Sequence, residues 1–266
     1  MGSEMCIRDS PYLEDHRMHG VPVLPVATVL DAFARLTHAC RPGDLFVECR
    51  SLAVLRGVRL THFDGHGDRF VLRARQVSNG DGATFAVELC GMDGAKHYTA
   101  TTESRPRRPP PAAAPGRPEG LGDRGGEIYG RTLFHGPAFH VLRKLEGVSR
   151  AGAAARLASA EELGWGRGWH LDPAILDGGL QLALLWTEHV LGGASLPTAL
   201  GALSLYGEGL ARGNLQCLLY SDAVDGERAV SDVLFVTDDG AVVARLRGVE
   251  THLLPAKAPP AAHPDA

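Results

Sequence analysis

The sequence predicts an α+β chain built of two halves, each a run of antiparallel strands wrapped around one apolar helix. Three observations lead there. Residues 103–125, ESRPRRPPPAAAPGRPEGLGDRG, carry no hydrophobic periodicity and divide the chain. Each side of that divide holds one apolar helical pattern. Each side also holds several β-rich segments separated by Gly, Asn and Asp.

The first ten residues, MGSEMCIRDS, lack periodicity and are set apart as a tag or reading artefact, so the first half is read as residues 11–102. Its helix covers Val26 to Ala39, because Val26, Val29, Leu30, Phe33 and Leu36 recur at helical spacing directly after Pro25. Strands are expected at LFVECRSLAVL, RFVLRARQV, TFAVELCGMDG and KHYTATTE, with Asn79-Gly80-Asp81-Gly82 and Asp93-Gly94 as hairpin turns. Residues 103–125 then form a linker whose prolines favour extended chain along a surface.

The second half, residues 126–254, repeats the plan. FHVLRKLEGV and AAARLAS read as strands, Pro173 to about Leu191 as a long apolar helix, and LQCLLYSDAV, AVSDVLFVTDDG and AVVARLRGVETHLL as further strands with Asp239-Gly240 as a turn. The likeness between halves lies in the order of elements alone. Residues 255–266, PAKAPPAAHPDA, form a Pro/Ala-rich tail and suggest that the chain continues into neighbouring domains.

At 266 residues the chain is long enough for an enzyme with a sizeable core. Charged residues at 22% and hydrophobic ones at 44% are ordinary for a globular protein. A net charge of -4 gives no reason to expect nucleic acid, and the one basic cluster, Arg105, Arg107 and Arg108, reads as solvated linker. No apolar run reaches the roughly 18 residues of a membrane span, and five scattered cysteines without a CxxC pair suggest a reducing, cytoplasmic setting.

Two constellations can carry chemistry. His16, Gly20, Pro22 and Pro25 precede the first helix with HxxxGxxxxP spacing, a stiff frame that can hold His16 beside a helix N-terminus. A carbonyl placed there can accept a hydrogen bond from the Val26 amide and gain from the helix dipole, although a surface histidine in a proline-rich turn fits the same pattern. In the second half, Asp172 before Pro173 reads as an N-cap, whereas Asp177 lies inside the apolar helix with Gln181 four residues on. Burying Asp177 is unfavourable unless it is neutral or bonded, and Gly178 and Gly179 suggest close approach of a substrate or another backbone. A structural carboxylate remains the alternative. Phe134-His135-Gly136-Pro137-Ala138-Phe139 makes a stiff turn suited to lining an apolar tunnel, and Leu196-Pro197 is a weaker candidate.

Taken in order, these segments resemble the dehydratase domains of modular and iterative polyketide synthases and of polyunsaturated fatty-acid synthases. His16 to Pro25 fits that family's HxxxGxxxxP motif, Phe134 to Phe139 its YGPxF region, Asp177 to Gln181 its DxxxQ motif and Leu196-Pro197 its LP element. Two departures are His135, where modular members usually carry tyrosine, and Asp172, where they often carry histidine; Tyr129 is a candidate substitute for that tyrosine. The resemblance spans roughly Tyr12 to Leu254. It implies a double hot-dog fold in which His16 and Asp177 meet at a shared tunnel. His16 would then remove a proton and Asp177 donate one as water leaves a β-hydroxyacyl thioester, with Gln181, Gly20, Pro25 and Val26 in support. Phe134, His135, Gly136, Pro137, Phe139, Leu196 and Pro197 would line the tunnel. The acyl chain would arrive on the phosphopantetheine of an acyl carrier protein, so neither a dissociable cofactor nor a metal is expected, and the partners are that carrier and neighbouring synthase domains.

Other readings are a product-template-like aldol cyclase or an enoyl isomerase on the same fold, and a non-catalytic acyl-binding or scaffolding module. A metal site at His16 and His19, or at His62, Asp64 and His66, matches no recognised zinc spacing well.

Overall fold

A computed structural model describes residues 2–7, 10–130, 132–211 and 215–255. The elements in chain order are β1 (Gly2–Ile7), β2 (Arg17–Met18), β3 (Val21–Pro22), α1 (Val26–Cys40), β4 (Leu45–Val54), β5 (Asp68–Asn79), β6 (Ala83–Gly91), β7 (Lys96–Arg105) and β8 (Ala112–Ala113). The second half adds β9 (Leu142–Ser149), β10 (Gly152–Leu157), α2 (Pro173–Leu191), β11 (Ser195–Leu205), β12 (Gln216–Asp225), β13 (Arg228–Val236) and β14 (Ala241–Leu253).

The long strands join in one antiparallel sheet of order β1-β5-β6-β7-β4-β11-β14-β13-β12-β10-β9. The order reads nearly the same from either side of the β4–β11 seam. Each half therefore curls its own strands around its own helix, the double hot-dog arrangement. At the seam Leu52 stands opposite Leu200 and Cys49 opposite Leu203, all buried, which joins the two cores. Facing α1, Phe85, Val87, Leu89 and Tyr98 are buried; facing α2, Val233, Phe235, Ala244 and Leu246 are.

A residue-level trace of the twofold likeness appears in a buried hydroxyl pair. Thr37 of α1 meets Thr102 of β7 at 2.7 Å, and Thr187 of α2 meets Thr251 of β14 at 2.7 Å. Superposing Thr37 on Thr187 places Ala27 where the second half has Asp177, so one half alone carries the acid.

Several elements differ from the sequence reading. Residues 2–7 form β1, which pairs with β5 along its whole length; edge pairing uses backbone groups and needs no hydrophobic period. β11 was not expected, because its segment contains Pro197 and Gly201 and few β-branched residues. Gly201 is required there, since a Cβ would lie 2.9 Å from the Arg247 carbonyl oxygen. The linker is tied down: β7 runs to Arg105, β8 pairs with β14, and the half-buried Arg108 donates to the carbonyls of Phe46 (2.9 Å) and Glu208 (2.8 Å). Beyond residue 255 the tail lies outside the described residues. No helix among the described residues is long and apolar enough to cross a membrane.

Candidate active site

His16 is held by its own loop. Its Nδ1 donates to the Val23 carbonyl at 2.7 Å, while the Val23 amide donates to the His16 carbonyl at 2.9 Å. The loop closes through Gly20, whose φ of 79° lies in the left-handed region. Because Nδ1 carries the hydrogen, Nε2 is left with a lone pair. Burial lowers the pKa of His16 to about 4, so the ring is neutral near pH 7.

Asp177 sits in the buried stretch of α2. Burial raises its pKa to about 7, with the Gln181 hydrogen bond pulling the other way. Gln181 Nε2 donates to Asp177 Oδ2 (2.7 Å) and to the Phe139 carbonyl (3.0 Å). The amide is oriented from behind: Tyr129 Oη donates to Gln181 Oε1 at 2.9 Å and accepts from the Leu142 amide at 2.8 Å. Tyr129 thus belongs to the support of the carboxyl, not to the cavity wall. Asp172 caps α2, accepting from the amides of Ala174 (3.0 Å) and Ile175 (3.1 Å). No side chain caps α1; the Thr28 and Val29 amides turn back to the Pro25 carbonyl at 3.1 and 3.2 Å, ahead of which lie those of Val26 and Ala27.

The two halves are brought together by Asp15, a residue to which the sequence attached no role. Its carboxylate accepts from the Ala138 amide at 2.6 Å and its carbonyl from the Gly136 amide at 2.7 Å, clamping the Phe134 to Phe139 turn beside His16. Gly136 permits this contact, since a Cβ there would lie 2.6 Å from Asp15 Cγ. Trp165 locks the same turn by donating to the Ala138 carbonyl at 2.8 Å. The clamp is a contact between residues far apart in sequence, and no local pattern announces it.

The result is a buried triad. Nitrogens of His16 and His135 and a carboxylate oxygen of Asp177 lie within 4.8 Å of one another, and His135 Nε2 is 3.7 Å from Asp177 Oδ2. A cavity of about 310 Å³ opens onto it, lined by His16, Pro25, Val26 and Tyr98 from the first half and by Phe134, His135, Asp177, Gln181, Leu196 and Pro197 from the second. Gly20, Gly136, Pro137 and Phe139 do not line it; the last three fold back against the Asp15 loop and fix the wall from behind. Tyr98 and Leu184, to which the sequence attached no role, also line it.

One expectation is corrected. Gly178 and Gly179 make room for side chains, not for a substrate or backbone: a Cβ would lie 2.9 Å from Leu157 and Val141 at the first and 2.7 Å from Phe235 at the second. His19 and the His62, Asp64, His66 turn form no metal-ligand cluster among the described residues; His62 turns instead to Asp68, 3.3 Å away. The cluster that does form is His16, His135 and Asp177.

Comparison with known proteins places this chain in a family. The polyketide synthase dehydratase N-terminal domain family matches residues 105–261. A phenolphthiocerol/phthiocerol polyketide synthase polypeptide of Mycobacterium tuberculosis is 24% identical over 94% of the chain, which spans 14% of that protein's length. Among solved structures, the dehydratase domain of a mycocerosic acid synthase-like polyketide synthase superposes with a TM-score of 0.77 at 22% identity, covering 94% of this chain and 89% of that one. A trans-acyltransferase polyketide synthase enoyl-isomerase shares the fold with a TM-score of 0.70 at 14% identity, covering 94% and 98%. With more than half of its length matched and with this double hot-dog fold, the chain belongs to the polyketide synthase dehydratase domain family.

Proposed function

We propose that the cavity removes water from a β-hydroxyacyl thioester, with His16 as the base and Asp177 as the acid. The observation that carries the reading is the pairing, on the wall of one cavity, of a histidine kept neutral with a carboxyl whose pKa burial raises to about 7. Elimination needs both at once: a lone pair for a weakly acidic α-proton and a proton for a poor leaving group.

The step balances on these residues. His16 Nε2 takes the α-proton, the C–H electron pair forms the alkene, and the β-hydroxyl departs with the Asp177 proton as water. Protonated His16, with a pKa of about 4, is a stronger acid than Asp177 at about 7. The proton therefore returns downhill to the carboxylate within 4.8 Å, resetting both groups. The thioester carbonyl would rest at the uncapped N-terminus of α1, where the Val26 amide and the helix dipole favour the developing negative charge. Tyr129 and Gln181 hold the acid in place. The acyl chain would be delivered on the phosphopantetheine arm of an acyl carrier protein, beside neighbouring synthase domains.

The test is conversion of a β-hydroxyacyl N-acetylcysteamine thioester to the enoyl product by the wild type, His16→Ala and Asp177→Asn. Each substitution should lower turnover by at least about 100-fold. Turnover that survives both would refute the dyad, and a product whose alkene has only moved would identify an isomerase.

A further inference from the structure

His16, His135 and Asp177 have a geometry that proton transfer does not require. A tetrahedral zinc ion holds nitrogen and oxygen ligands at about 2.0–2.2 Å, which places neighbouring ligand atoms about 3.4 Å apart. His135 Nε2 and Asp177 Oδ2 are already 3.7 Å apart, and all three ligand atoms lie within 4.8 Å of one another. A contraction of at most about 1.4 Å between any two of these atoms completes three corners of the tetrahedron. All three residues line the cavity of about 310 Å³, which leaves room for a fourth ligand.

Supporting contacts of the kind that accompany bound ions are also present. His16 donates its other ring nitrogen to a backbone carbonyl at 2.7 Å, which aims Nε2. Asp177 is steadied by Gln181 at 2.7 Å. His135 is 6% exposed and lacks such a contact: its Nδ1 has no hydrogen-bond partner among the described residues, so only its burial and its approach to Asp177 hold the ring. Two imidazoles and one carboxylate suit zinc and its neighbours better than magnesium or calcium.

We infer that these three residues form a divalent transition-metal site, and that Zn2+ bound there inhibits the enzyme by engaging the His16 lone pair and the Asp177 carboxylate at once. The binding half of this inference stands on geometry alone. The inhibition half rests on the proposed reaction, because an ion that holds both groups leaves neither free to move a proton.

The experiment uses the full chain after treatment with a chelator. Zn2+ is titrated by calorimetry, and Co2+ is followed by the visible bands of a four-coordinate ion. Wild type, His135→Phe and Asp177→Asn are compared, with melting curves confirming that each is folded. The wild type should bind one tight equivalent, and each substitution should weaken it by at least about 100-fold, since loss of a ligand exceeds the effect of losing a supporting contact. Dehydration of the N-acetylcysteamine substrate should fall in proportion to occupancy and return on adding chelator.

The site is overturned if the wild type holds no tight equivalent, or if both variants bind Zn2+ as the wild type does. Full occupancy with undiminished turnover would overturn inhibition and remove the reaction from this cavity, while the binding data stand. Chelator-treated wild type that binds zinc but turns over no substrate would count against the proposed reaction alone.

Discussion

Replacing Asp177 by Asn should change how stability responds to pH, and the size of the change follows from the cavity. Asn keeps the shape of a protonated carboxyl without its ionisation. In the folded wild type Asp177 holds its proton up to about pH 7, against an ordinary value of 3.8. Its folded pKa is raised, so its contribution to stability is complete below pH 3.8 and is lost as pH rises toward 7. The full loss is on the order of 4 kcal/mol, of which about 3 kcal/mol falls between about pH 5 and pH 8. His16 acts in the opposite sense. Its pKa is lowered from 6.5 to about 4, so its contribution is present above 6.5 and is lost as pH falls toward 4. In the wild type the two slopes largely cancel between these limits, and Asp177→Asn exposes that of His16. Urea unfolding of both proteins across this range measures the effect, because every other titrating group cancels in the difference. The variant should gain about 3 kcal/mol on the wild type from about pH 5 to pH 8. A difference that stays constant across the range would show that Asp177 is not held protonated, and the acid role would fall with it.

Turnover should have the same origin: kcat/KM is expected to be level between about pH 4 and 7 and to fall above 7 as Asp177 loses its proton. An acid limb near the ordinary histidine value of 6.5 would contradict the shielding of His16. Tyr129→Phe removes the donor that orients Gln181 and leaves the Leu142 amide without its acceptor, which should cost about 1–2 kcal/mol in unfolding. Freed to turn its carbonyl toward Asp177, Gln181 should then move the basic limb of the pH–rate profile upward; an unmoved limb would show that Tyr129 does not act through Gln181. Gly179→Ala places a methyl 2.7 Å from Phe235 and should cost about 1–3 kcal/mol, partly recovered by Phe235→Leu in the same chain. Melting temperatures of the single and double variants check this.

Much of the fold was legible because local physics sets it. The helices appear where apolar residues recur at helical spacing, Val26–Cys40 and Pro173–Leu191, and Asp172 caps the second as its place before Pro173 implied. The hairpins turn at Asn79 to Gly82, at Asp93-Gly94 and at Asp239-Gly240, where the residue types favour them. β1 and β11 were not legible, since both are held by backbone pairing with strands distant in sequence, and neither carries a period of its own.

The site divides along the same line. Sequence by itself determined which groups could react: a histidine in a stiff Gly/Pro frame, and a carboxylate that an apolar helix would bury beside a glutamine. Tertiary structure alone decided that they meet. Asp15 ties the two halves at Ala138, Tyr129 reaches Gln181 across 52 positions, and His135 arrives 3.7 Å from Asp177. The pKa values of about 4 and about 7 were also decided there, because desolvation depends on what packs around a group and not on its neighbours in the chain.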